Sequence, residues 1–168
     1  LETTGTRPGW GDEILEIGAV QVGGFELGCE FATLVDPLRP ISPAARAVHG
    51  ISDAELAGAP PLGAALPMLL AMARDRVLVF HNAAFDLGFI QGALAESGHE
   101  PLDAPVLDTV VLARRLLGGR VGLGTAAARL GLAAGHLHRA LPDARLTAQL
   151  LLRSLELLVE AGARRLYE

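Results

Sequence analysis

The chain has 168 residues, the size of one ordinary domain. Its hydrophobic share, 51%, is enough to bury a core and excludes a disordered or collagen-like chain. A formal charge of −5, from 14 basic and 19 acidic residues, is the wrong sign for a surface that coats a polyanion. The lone cysteine, Cys29, excludes an internal disulfide framework and a cysteine-based zinc site, and suits a reducing compartment. Residues 56–73 form an uncharged stretch about as long as a membrane span, but Pro60, Pro61 and Pro67 interrupt it and no aromatic or positive flanks anchor it. A soluble, cytoplasmic protein with no membrane partner is expected.

In chain order, the β-branched run 14–22 (ILEIGAVQV) predicts a strand. Gly23-Gly24 is a hairpin signal, and 29–35 reads as the return strand. Cys29, inside it, is expected to be a buried small hydrophobe. Ser42-Pro43 opens a short helix through Val48, with proline where the first turn accepts it. A helix is expected over 62–73 and a short buried strand over 77–81. Residues 83–97 carry Phe85, Phe89, Ile90 and Ala93 at helical spacing. Another short strand is expected over 105–108, then helices over 109–117 and 124–130.

The last segment, 143–161, reads as a long amphipathic helix stopped by Gly162. Ala144, Ala148, Leu151, Leu152, Leu155, Leu158 and Val159 share its expected apolar face. A hairpin followed by alternating strands and helices implies an α/β domain with a mixed sheet covered by helices. No internal repeat or interior linker appears, so residues 1–168 are expected to form one domain.

Three places where strands meet loops or helices carry acidic or histidine side chains, the usual seats of catalysis. They are Glu2 in Glu2-Thr3-Thr4-Gly5, Asp86 in HNAAFD, and His138 with Asp143 in HRALPDA. Each also has a bland reading. Glu2 alone is a solvated terminal charge, and Asp86 and Asp143 are acids favoured by helix N-termini. Asp108 is a helix cap. The pair His136-x-His138 lacks the further ligands a zinc site needs. No Gly-x-Ser-x-Gly elbow occurs, which argues against a serine hydrolase.

Together, in this order, ETTG, HNAAFD and HRALPDA resemble the three motifs of the DEDDh family of DnaQ-like 3′–5′ exonucleases. That family includes the proofreading epsilon subunits of bacterial DNA polymerase III, oligoribonuclease and ribonuclease T. VHGIS (48–52) and LDTVVLARRL (107–116) extend the resemblance over nearly the whole chain. It implies a ribonuclease H-like α/β fold with a mixed five-stranded sheet flanked by helices. It also implies hydrolysis of single-stranded DNA from the 3′ end to nucleoside 5′-monophosphates, in proofreading or repair, with a DNA polymerase subunit as a partner. Oligoribonuclease-like digestion of RNA is the alternative activity.

Cutting a phosphodiester at neutral pH calls for charge compensation at the attacking and leaving oxygens, which two divalent cations about 4 Å apart provide. Hard Mg²⁺ or Mn²⁺ favours carboxylate oxygens. The resemblance therefore makes Glu2, Asp86 and Asp143 the metal-binding carboxylates and His138 the general base, a role its ordinary pKa suits. Thr3, Thr4, His49, Gly50, Ile51, Asn82 and Phe85 are implied to lie against the terminal nucleotide. Phe85 also reads as core, Asn82 as a helix cap and His49 as a helix-end cation.

One position departs from the pattern. The first motif of the family is Asp-x-Glu, and Leu1 takes the x. The aspartate is expected immediately ahead of Leu1, with the start of the first strand, in a longer protein. Without that aspartate, a catalytically silent nucleic-acid- or polymerase-binding module is the alternative. The tail 164–168 shows no convincing clamp- or polymerase-binding motif.

Overall fold

The computed structural model describes residues 1–135 and 137–163. His136 and the tail 164–168 lie outside the described residues. The elements, in order, are β1 (Glu2–Thr3), β2 (Ile14–Gly23), β3 (Glu26–Leu34), α1 (Pro43–His49), α2 (Asp53–Leu56), α3 (Leu62–Ala73), β4 (Leu78–Phe80), α4 (Ala83–Glu96), β5 (Val106–Asp108), α5 (Thr109–Leu117), α6 (Leu123–Arg129) and α7 (Ala140–Glu160). A single 3-10 turn, Pro8–Trp10, sits between β1 and β2.

The expected α/β class is present, with one correction to the sheet. The five strands form two ladders among the described residues, an antiparallel β1-β2-β3 and a parallel β4-β5. Strand β1 pairs with β2, Glu2 with Glu16 and Thr3 with Ile14, and no described strand joins β2 to β4.

A register slip between Glu2 and Thr3 sets two residue steps of β2 against one step of β1, the signature of a bulge. Its effect on packing is visible in the core. Ile14 and Ile17 both enter the main cluster with Val35, Leu66, Phe89, Ile90 and Leu94. Leu15 instead packs with Ile41, Ile51 and Leu56 beneath α1 and α2. A third cluster, Ala113, Ala126 and Leu150, ties α5 and α6 to α7.

Element boundaries differ from the sequence reading where side chains outside the local pattern decide. Strand β3 begins at Glu26, and Cys29 within it is exposed rather than buried, because residues 26–30 have one paired edge and no covering layer. Helix α7 begins at Ala140, since the Ala140 N–H donates to Glu16 and holds that residue at the helix start. Its buried face centres on Leu146, Thr147, Leu150, Leu151 and Ser154, while Val159 is exposed. Gly162 adopts the left-handed conformation expected of a stop. No helix among the described residues is long and apolar enough to cross a membrane.

Candidate active site

The three acidic motifs arrive from distant parts of the chain. Glu2 sits on β1, Asp86 in the first turn of α4 and Asp143 in the first turn of α7. All three, with His138, line one cavity of about 990 Å³. The cavity continues between β2 and β4 along apolar walls that include Ile17, Leu70 and Phe80.

Electrostatics at this end of the cavity are those of crowded carboxylates. Glu2 is only 9% exposed, and burial raises its pKa to about 7, with Asp143, Glu16 and Asp86 pushing the same way. Burial also raises Asp143, against the His138 N–H, which favours its charged form. That N–H donates to both Asp143 oxygens at 3.2 Å. His138 has a left-handed backbone, φ 67°, a state uncommon outside glycine although histidine is enriched in it. The imidazole itself is exposed. Asp86 accepts from the α-ammonium of Leu1 at 2.9 Å.

No group of three or more His, Cys, Asp or Glu is gathered as a ready metal cage among the described residues. The Asp143 oxygens accept instead from the His138 N–H. The donor set nevertheless fits a hard divalent cation. It consists of carboxylate oxygens, and its buried Glu2 gains from any cation that lowers the local negative potential.

The residues implied to contact substrate divide into two groups. Asn82 and Phe85 line the same cavity as the acids. Asn82 is left-handed, φ 76°, and makes no side-chain cap bond; its Oδ1 accepts from Arg120 at 3.0 Å. Phe85 tilts against Phe89, with ring centroids 5.1 Å apart, so it is partly core as well. Thr3, Thr4, His49, Gly50 and Ile51 do not line the cavity. The Thr3 hydroxyl donates to the Gly5 carbonyl, and the Thr4 hydroxyl accepts from the Glu13 N–H. His49 is buried, and its Nδ1 accepts from the Ile51 N–H; burial lowers its pKa. Gly50, φ 70°, supplies the left-handed stop of α1. Ile51 is fully buried. Its side chain fills the core with Leu15 and Leu56.

Several supporting residues were not singled out from sequence. Glu16, itself buried, forms an ion pair with the half-exposed Arg139 beside Glu2. His81 bonds Thr109 through Nδ1 at 2.9 Å, and burial lowers its pKa. Ser52 and Glu55 form a reciprocal capping box on α2, whose S-x-x-E spacing is readable in the sequence. Asp108 does cap α5, as expected, and it also accepts the Asn82 and Ala83 N–H groups that open α4.

Comparison with known proteins places the chain in a family. The chain is 38% identical over 169 residues to the PolC-type DNA polymerase III of Thermotoga maritima, covering 100% of this chain and 12% of that protein. It is 41% identical over 167 residues to a DNA polymerase III subunit epsilon-like protein of Rhodobacter capsulatus, covering 96% of this chain and 24% of that protein. The chain thus spans a quarter or less of these curated relatives. Among solved structures, exonuclease X in complex with 5′ overhanging duplex DNA superposes with a TM-score of 0.73 at 30% identity, covering 96% of this chain and 90% of the other. The shared fold is the ribonuclease H-like α/β fold that the sequence implies. The RNase_T family, described as Exonuclease, matches residues 1–151, and the chain belongs to it, as the order of its acidic motifs leads one to expect.

Proposed function

We propose that this chain is the catalytic part of a metal-dependent 3′–5′ exonuclease that degrades single-stranded DNA to nucleoside 5′-monophosphates, in proofreading or repair. The observation that carries the reading is the meeting of Glu2, Asp86, His138 and Asp143 at one end of a single cavity. Glu2 and Asp143, with Asp86 as the third acid, would hold two divalent cations, Mg²⁺ or Mn²⁺, which when bound compensate charge on the attacking and leaving oxygens. His138 accepts the proton of the attacking water on its imidazole. Asn82 and Phe85 hold the terminal nucleotide, the ring stacking on the base without reading its identity. Thr3 and Thr4 from the end of β1, and His49, Gly50 and Ile51 from the end of α1, lie toward the same terminal nucleotide.

The first motif of the family calls for an aspartate immediately ahead of Leu1. Two strand edges, β2 beyond Glu16 and β4, line the cavity and carry no paired strand there among the described residues. Relatives named as polymerase chains support a DNA polymerase as partner, and the free Cys29 suits the reducing cytoplasm.

The test is digestion of a 5′-labelled single strand with Mn²⁺ or Mg²⁺, using protein that includes the residues ahead of Leu1. Progressive shortening from the 3′ end is expected, stopping with chelator and in Asp143→Ala. Digestion that survives either treatment overturns the metal mechanism. Faster loss of RNA or dinucleotides than of DNA assigns the oligoribonuclease-like role instead. Binding of the strand without cleavage in any arm identifies a silent module.

A further inference from the structure

Glu16 belongs to none of the three motifs, yet it is a carboxylate only 7% exposed, directly across the ladder from Glu2. Its charge is matched with unusual completeness. Arg139 Nε donates to both Glu16 oxygens at 3.1 and 3.2 Å, and Arg139 Nη2 donates to Oε1 at 2.9 Å. The Ala140 N–H donates to Oε2 at 2.7 Å. Both oxygens are therefore committed, which separates Glu16 from the acids that would hold metal. Arg139 also reaches Glu55 of α2 through Nη1 at 3.4 Å, and Glu55 is tied to Ser52 by the capping box.

Backbone packing at the next position of the same strand face reinforces this contact. Residues i and i+2 of a strand share a face, and two residues beyond Glu16 stands Gly18. A Cβ at Gly18 would collide with the Ala140 carbonyl group and the Leu141 amide. The start of α7 thus lies directly on β2, held there by Glu16 and admitted by Gly18. A bulge lies opposite Glu2 and Thr3, beside this contact, and bulges are frequent next to sites.

We propose that Glu16 is a positioning residue for the exonuclease reaction. Through Arg139 it latches the His138–Asp143 segment onto β2 and α2, setting the placement of the base and of one metal-binding acid relative to Glu2. The proposal rests on the exonuclease reading above. It assigns Glu16 and Arg139 no contact with substrate or metal. Their effect is geometric, and small misplacement of reacting groups is costly, about 10²-fold in rate for about 1 Å.

The test compares Glu16→Gln, Arg139→Lys and the double variant with wild type, assayed with the residues ahead of Leu1 present. Glu30→Gln breaks an exposed ion pair between β3 and Arg145 of the same helix and serves as control. For Glu16→Gln, kcat is expected to fall about 10²-fold while KM and the melting temperature stay close to wild type. Amide exchange at Ala140 should accelerate. Arg139→Lys keeps the charge but loses the planar fork and should show the same split, and the double variant should be no worse than either single one. A folded Glu16→Gln with normal kcat overturns the proposal. So does a loss shared equally by Glu30→Gln, or a loss confined to KM. If Glu16→Gln does not fold, Arg139→Lys decides by the same criteria. A wild type that digests nothing overturns the exonuclease reading instead, while Ala140 exchange still reports whether the latch exists.

Discussion

Glu2 and Glu16 face one another across a two-strand ladder and have opposite fates. Glu16 is matched by Arg139, whereas Glu2 is buried among other acids and shifted to about 7. A pKa raised on folding means that the folded state keeps a proton the unfolded state has released. Without metal, the Glu2 contribution is therefore present in full below the ordinary value of 4.5 and is lost as pH rises through about 7. Thermal melts in chelator should show stability falling over this window by about 2 kcal/mol, discounted for solvent screening; Glu2→Gln should flatten the slope. At Phe85, which shares the cavity with the acids, Phe85→Leu should raise KM for a single strand about ten-fold. Equal steady-state constants would remove it from the substrate path. The acids were legible in the sequence because each lies in a short contiguous motif. Glu16 and Arg139 were not, since 123 residues separate them and a glutamate in a strand looks like any solvated residue until its partner is placed.

Among the elements, those set by local pattern were legible. The hairpin, α3, α4, α5 and the body of α7 follow from turn residues and apolar spacing. The boundaries that escaped are held from outside. The first strand was expected from the resemblance, and its pairing with β2 fixes its residues. The start of α7 is drawn back to Ala140 by a carboxylate on another strand. Asp108 shows the same principle across two helices, accepting N–H groups of Asn82, Ala83 and Val110 at 2.9, 3.0 and 2.9 Å. Replacing one cap usually costs about 1 kcal/mol, so Asp108→Ala, which uncaps two helices, should cost about 2 kcal/mol or more. Denaturant unfolding measures this. Because α4 carries Asp86 and Phe85, the same variant should lower activity as well; a change below about 0.5 kcal/mol would show that these bonds are replaced by water at no cost.

At the scale of the whole molecule, the acidic balance that excludes a polyanion-coating surface does not exclude a nuclease, since one that grips a strand end needs few phosphate contacts of its own. Glu2, Asp86 and Asp143 line one cavity, with Glu16 across the ladder from Glu2. Sequence order alone carried the convergence of the motifs, whereas the size of the cavity and the division of the sheet into two ladders depended on pairings that no local pattern encodes. The claim that unites these scales is that the acidic end holds divalent cations. Calorimetric titration of Mn²⁺ into the metal-free protein tests it most directly, with Asp143→Ala and Glu2→Gln as comparisons. Saturable binding is expected in wild type, strongly weakened in both variants and releasing protons near pH 6, where Glu2 is still protonated. Undiminished binding in the variants, or no saturable binding in protein that includes the residues ahead of Leu1, would contradict the account.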